Sequence, residues 1–387
     1  RNCHRSVYHA LELCRLRPCY LMPASTPASG LCGSVSPGVI KAALERFADI
    51  RLVVLTSPTY EGVLSDVASA ARLCHERGIP LMVDEAHGAH LGFGLFPTGA
   101  VAAGADLVVH SLHKTLPSLT QTGLLHVSGP RVDPLEVERQ LAVFETSSPS
   151  YPLMASIDRC VQLMEGPGQE WMEAYAKRLE RFDRQIAPLQ YLRVLGHEDR
   201  PAHSSMFALD PGKLFICCQG VSWQGAPLTG VRLAGMLRTQ YRLEPEMAGV
   251  AGVLAMTSLC DTDETLERLA LALIEIDSSC TSWPEGAAPG AGVRELSLLL
   301  PPSEQVHPME EALLAPQTHL PLEQCEGHIA AEYVWAYPPG IPLLTPGERI
   351  TDDFVRFARQ TIAQGGVLHS TTHGLPDTLR VCGSHAG

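Results

Sequence analysis

The sequence predicts an α/β protein in which a large domain on a mostly parallel open sheet is followed by a smaller α+β domain and a small C-terminal domain. Three observations carry this. Between residues 37 and 128, short apolar runs alternate with amphipathic segments, the pattern of successive βα units. The apolar runs are continuous rather than alternating, as in strands covered on both faces. The 387 residues, 45% hydrophobic and 18% charged, suit several packed cores rather than a disordered or fibrous chain.

Ser36-Pro37 opens a helix running toward Phe47, with proline in the first turn, where its missing N–H costs nothing. Leu52, Val53, Val54 and Leu55 form the centre of a strand from Arg51 to Thr56. A helix from about Ser65 to Arg77 puts Val67, Ala70, Ala71 and Cys74 on one face and stops at Gly78. Strands follow from Pro80 to Asp84, Asp106 to His110 and Gly123 to Val127. Residues 133 to about 188 read as helical, with breaks at Ser147-Ser148-Pro149 and Gly166-Pro167-Gly168. Strands near Ser205 to Leu209, Leu214 to Cys218 and Gly252 to Thr257, and a helix from Thr262 to Ile276, make the second unit. Cys280 to Gly292, with Pro284, Gly286, Pro289 and Gly290, reads as a linker. Near the C-terminus, Leu379-Arg380-Val381 is expected to close a sheet edge. The expected domains are 1–165, 166–285 and 286–387.

The net charge of −13, from 29 basic and 42 acidic side chains with no basic stripe, argues against a nucleic-acid partner. No apolar run approaches membrane-spanning length, so no membrane partner and a cytoplasmic location are expected. Twelve scattered cysteines without a C-x-x-C pair read as reduced thiols, not as a disulfide scaffold or a zinc site. The chain opens Arg1-Asn2-Cys3-His4-Arg5-Ser6, with neither initiator methionine nor signal-peptide core, and reads as one whose start has been removed.

The chemistry begins with Lys114 in Ser111-Leu112-His113-Lys114, thirty residues after Asp84 in Val83-Asp84-Glu85-Ala86-His87-Gly88. Both are expected at or just past the carboxyl end of a strand, where open α/β sheets gather ligands. A lysine and an acid so placed match pyridoxal 5'-phosphate, which needs an amine for its Schiff base and a negative partner for its ring nitrogen. Ser111 and His113 flank the lysine and are candidates to hold the phosphate. His87 and His90 have a spacing open to two metal ligands, but no H-E-x-x-H pattern or third ligand accompanies them. Packing beside a cofactor ring or in the core accounts for them better, and no metal is expected.

Four ordered runs then carry a resemblance: Leu55-Thr56-Ser57-Pro58-Thr59-Tyr60-Glu61-Gly62, Val83-Asp84-Glu85-Ala86-His87-Gly88-Ala89-His90, Ser111-Leu112-His113-Lys114-Thr115 and Tyr337-Pro338-Pro339-Gly340-Ile341-Pro342. Over essentially its whole length the chain resembles the bacterial ornithine/lysine/arginine decarboxylase family, a branch of the fold type I pyridoxal phosphate enzymes. The resemblance implies a fold type I transferase-like large domain with Lys114 as the Schiff-base lysine and Asp84 as partner of the pyridine nitrogen. It also implies that Ser111 and His113 hold the phosphate, that His87 lies beside the ring and that His4 of Arg-Asn-x-His stacks on it. Thr146-Ser147-Ser148-Pro149-Ser150-Tyr151 resembles a segment that reaches a neighbouring subunit's cofactor, implying a homodimer or higher homo-oligomer with shared active sites. In the family a turn of small residues at a helix N-terminus, ahead of Arg-Asn-x-His, also holds the phosphate. The expectation is therefore a fragment, or a protein that binds the cofactor poorly. Arg5 and Ser147 stand where lysine and threonine are more usual, swaps that keep the chemical character.

The activity implied is decarboxylation of arginine, lysine or ornithine to the amine and carbon dioxide, a step of polyamine biosynthesis. The alternatives are another fold type I enzyme, such as an aminotransferase or lyase, and a non-catalytic truncated homologue. Glu145, Glu246 and Glu348 are candidates to read the substrate's cationic end, set against the plainer reading of solvated surface charges.

Overall fold

The computed structural model describes residues 1–26, 29–195, 205–283, 303–336, 341–363 and 367–383. The chain forms two compact units, one of Gly33–Pro284 and one of Arg1–Cys32 with Glu285–Gly387. This differs from the expected three-way division: the first 32 residues group with the C-terminal segment, and the two α/β parts share one unit because a continuous apolar core runs through both.

In the larger unit, α1 (Pro37–Arg46) is capped by Ser36, whose hydroxyl accepts from the Val39 amide. The strand β1 (Val53–Thr56) leads through α2 (Val67–His75) to β2 (Leu81–Asp84), and then β3 (Leu107–Ser111) runs into the single-turn helix α3 (Leu112–Thr115) and back along β4 (Gly123–Val127). The sheet order is β1-β2-β3-β4, with β1, β2 and β3 parallel and β4 antiparallel to β3. Register aligns Thr56 with Asp84 and Asp84 with Val109, so the carboxyl ends of three parallel strands lie side by side.

Asp106 fixes the opposite end of these strands. Its carboxylate accepts from the Leu81 amide at 2.8 Å and meets His75 Nε2 at 2.8 Å and Arg131 at 3.4 Å. Burial works against the ionised form, but these partners hold Asp106 below the usual carboxylate range.

The helices α4 (Pro134–Phe144), α5 (Tyr151–Glu165) and α6 (Gly168–Ile186) follow, separated where the Ser-Pro and Gly-Pro-Gly punctuation predicted. A second sheet contains β5 (Arg193–Leu195), β6 (Lys213–Cys217), β7 (Met247–Ala248) and β8 (Gly252–Met256) in the antiparallel order β7-β8-β6-β5, backed by α7 (Gly230–Tyr241) and α8 (Asp263–Ser278). Its core includes Phe182, Ile216, Leu233, Val253 and Leu273. The predicted linker is corrected in part: Cys280–Ser282 is a strand paired with Val221–Trp223, the Trp283 amide donates to the Gly220 carbonyl, and residues 284–292 lie outside the described residues.

The other unit pairs Gln317–Pro321 with Thr378–Cys382, so Leu379-Arg380-Val381 does close a sheet edge. The strands Ile341–Leu344, Val334–Ala336 and Leu368–Ser370 form a second small sheet, and the helix Asp352–Ala363 buries Phe354 and Phe357 in the same core as Val334 and Leu343. Within this unit Tyr8, Met309 and Tyr333 pack together.

Asp277, on α8, is buried and accepts hydrogen bonds from the backbone amides of Gln190, Tyr191 and Leu192 at 2.6–2.9 Å, leading the chain into β5. Asp277→Ala strands these donors away from water, and a loss of about 3 kcal/mol is expected from the denaturant midpoint at unchanged slope.

Candidate active site

The site gathers at the carboxyl ends of β2 and β3. Asp84 is the last residue of β2, and its carboxylate accepts from the Ala86 amide at 3.2 Å. Three residues after Asp84, the chain turns so that the His87 ring meets the Tyr60 ring edge-on, 4.8 Å between centroids. Ser111 ends β3, and His113 and Lys114 occupy the turn of α3. Lys114 Nζ lies 3.1 Å from His87 Nε2. The structure therefore brings Asp84, His87, Ser111, His113 and Lys114 to one strand edge.

Each has a defined role in the local geometry. The Ser111 hydroxyl makes no capping bond to its own turn. His113 Nδ1 lies 2.8 Å from the Thr122 carbonyl, which only accepts, so Nδ1 carries a proton and Nε2 is the nitrogen able to meet a ligand. Burial pushes the Lys114 amine below the ordinary lysine range, against the pull of Asp84 and Glu246. His90 turns to Asp210 at 3.1 Å and packs edge-on against Phe96. Among the described residues no group of three or more His, Cys, Asp or Glu side chains could hold a metal ion.

One residue that the sequence reading missed is Lys213. It opens β6, a strand buried along its full length, and is itself 4% exposed. Its Nζ lies 3.2 Å from His87 Nδ1 and donates to Met256 Sδ at 2.7 Å. Burial drives its pKa down to about 8, opposed by Asp210, Glu246 and Glu61 and aided by the Lys114 charge. The Asp210-Pro211-Gly212 turn ahead of it is tied to Gly62, whose carbonyl accepts from the Asp210 amide at 2.8 Å. Gly62 sits at φ +95°, and a Cβ there would come within 2.6 Å of Lys213 Cβ. Glu246 accepts from the Tyr60 hydroxyl and acts electrostatically on both lysines.

The other expected residues are carried by other elements. His4 belongs to the second compact unit, where it caps the helix Arg5–Leu13 by accepting from the Ser6 amide at 3.3 Å. Thr146 to Ser150 form an exposed connection between α4 and α5, and Glu145 is exposed at the end of α4. Glu348 corrects the solvated-surface reading: it is fully buried, paired with Arg1 at 2.9 Å and bonded by the Thr345 amide. Of the fourth quoted run, Tyr337 to Gly340 lie outside the described residues.

Residues 1–195 match the family described as Orn/Lys/Arg decarboxylase, major domain, and residues 303–377 match its C-terminal domain. The chain belongs to the Orn/Lys/Arg decarboxylase family. This is a family of pyridoxal phosphate-dependent amino-acid decarboxylases. Similar proteins include an arginine decarboxylase of Bacillus anthracis, 29% identical over 98% of this chain and 75% of that protein. An arginine decarboxylase of Bacillus cereus is 30% identical over 90% and 73%. The fold is that of the lysine decarboxylase of Francisella novicida, with TM-score 0.78 at 20% identity, covering 99% of this chain and 65% of that one. The chain spans 65% of the length of that solved chain.

The donor set fits the family's cofactor: an amine drawn toward its neutral form by burial, a carboxylate at the end of the adjoining parallel strand, and an imidazole against the amine. Replacing Glu246 with Gln removes a charge that favours both ammonium forms. Lys114 and Lys213 should then lose their protons at lower pH than in the parent protein, read as an acid-side shift in pH-dependent amine acetylation of the two peptides by mass spectrometry.

Proposed function

We propose that this chain decarboxylates a basic amino acid, releasing the corresponding amine and carbon dioxide, with pyridoxal 5'-phosphate as cofactor. The observation that carries the reading is Lys114, half-buried beside Asp84 and 3.1 Å from His87 at the strand edge of a family member. Arginine is the first substrate to offer, because two relatives matched over most of their length are named arginine decarboxylases.

The cofactor, when bound, supplies an electron sink conjugated to the substrate's α-carbon. Lys114 would hold it covalently and carry a proton to and from that carbon; its burial favours the unprotonated amine that such bonding needs. Asp84 would place its negative charge at the ring nitrogen. Ser111 and His113 would meet the phosphate through the hydroxyl and Nε2 described above, and His87 would hold the edge of the ring nearest Lys114. His4 is assigned to stack on the ring by its place in Arg-Asn-x-His alone. Orientation of the scissile bond and exclusion of water are the remaining contributions of the protein.

The test offers arginine, lysine and ornithine to the protein with added cofactor and identifies amine and carbon dioxide. Lys114→Ala should lower turnover at least roughly 10²-fold and abolish the borohydride-reducible lysine adduct. Retained turnover in that variant, or a keto acid in place of carbon dioxide, overturns the reading.

An assembled, homo-oligomeric form is part of the same proposal. Helix α4 has no buried residue, and Leu135, Val143 and Phe144 on it, with Tyr151 and Met154 beyond, are exposed. Light scattering on the parent protein is expected to give a dimer or larger, and Phe144→Asp to shift it toward the single chain.

A further inference from the structure

The helix that carries His113 and Lys114, α3, is a single turn, and a helix of that length has little stability of its own. The segment after it sets its geometry. From Leu116 the chain runs out through Leu119, 56% exposed, and returns at Thr122, which is 2% exposed and precedes β4. The Thr122 carbonyl accepts twice, from the Leu112 amide at 3.1 Å and from His113 Nδ1 at 2.8 Å. One backbone oxygen therefore fixes both the start of the turn and the direction of its imidazole.

Thr122 is held in turn through its side chain. Its hydroxyl meets Ser118 Oγ and the Leu119 carbonyl, each at 2.7 Å. Ser118 Oγ lies 3.1 Å from Ser156 Oγ, and the Leu119 amide donates to the same Ser156 oxygen at 2.8 Å. Ser156 belongs to α5, one turn before Cys160 and two before Met164, the residues through which this helix enters the larger core. A helix anchored in that core thus reaches the loop at two points. The loop needs such support: Gln121 stands at φ +77°, a conformation that L side chains rarely adopt and that persists where neighbours hold it.

We propose that Ser156 is a positioning residue: acting through Ser118, Leu119 and Thr122, it braces the turn of Lys114 and aims His113 Nε2 at the cofactor's phosphate. The phosphate contact rests on the function proposed above; the bracing does not.

The bracing is tested by hydrogen exchange of the full chain without added cofactor, read by NMR at the Leu112 amide. Ser156→Ala removes one acceptor and one hydroxyl partner at a site where water can replace them at Leu119, so the fold stands and the turn opens locally. Exchange at Leu112 should quicken about fivefold, the usual worth of one net hydrogen bond, with the amides of β6 unchanged. Ser156→Thr, which keeps a hydroxyl, should return the parent rate. Ser118→Ala breaks the same route from the loop side and should also quicken Leu112. A parent rate at Leu112 in either alanine variant overturns the proposal. So does equal quickening in β6, or a Ser156→Ala chain that does not fold, because either marks Ser156 as a general support of the core.

The aim of His113 is tested by binding. Ser156→Ala should weaken pyridoxal 5'-phosphate about fivefold. Pyridoxal, which lacks the phosphate and meets Lys114 on a flexible stem, should weaken by no more than about twofold. Equal losses for the two overturn the aim of His113. A parent protein that holds pyridoxal as tightly as pyridoxal 5'-phosphate sinks the phosphate reading above instead, and the exchange result then decides the bracing by itself.

Discussion

A lysine cation held out of water organises this site. Lys213, at 4% exposure, is a charge that burial penalises heavily unless acceptors and counter-charges are built around it. The neighbourhood meets that demand: His87 and Met256 stand within hydrogen-bond reach, and Asp210, Glu61 and Glu246 supply negative charge or its potential. Those partners need support in turn. Burial raises Glu61 above its usual range, moderated by its own backbone, the Thr59 hydroxyl and Lys213. Asp210 is tied to His90 and to the Gly212 amide, and the turn that carries it is tied to Gly62. Through His87 this buried shell reaches Lys114, so the reactive edge of the first sheet is braced by the first strand residue of the second.

The parallel sheet and its strand-end residues were legible in the sequence because the signals are local. Continuous apolar runs mark β1, β2 and β3, and the residues just after such runs stand at the ligand-bearing edge whatever the details of packing. That is enough to bring Asp84 and Lys114 together. Break signals served equally well between α4, α5 and α6, where proline and glycine interrupt otherwise helical stretches. Lys213 was not legible for the opposite reason. A lysine opening Lys213-Leu214-Phe215-Ile216-Cys217 reads as a polar strand terminus, and its contact with His87 joins residues 126 positions apart. The sole local hint is the Asp210-Pro211-Gly212 turn, which looks like ordinary loop chemistry until Gly62 is seen against it. Glu348 misled in the same way: a glutamate after Pro346-Gly347 reads as exposed, but its partner is Arg1, at the other end of the chain.

The energetics bear on why such an arrangement persists. A fall in the lysine pKa from 10.5 to about 8 corresponds to about 3 kcal/mol of lost stability if the unfolded chain titrates normally. The sign follows from linkage: below about pH 8 both states carry the proton and the full cost is present. Between there and 10.5 the folded amine is neutral while the unfolded one remains charged, so the cost is relieved as pH rises. An apolar side chain of similar length would avoid that cost at neutral pH, as replacements of buried charges often do. A fold that keeps a buried cation here, and spends Gly62, Asp210 and Met256 on seating it, retains something an apolar residue cannot supply. The one property of Lys213 that reaches the reactive amine is its hydrogen-bonding contact with His87 Nδ1, and that is what an alkyl chain lacks.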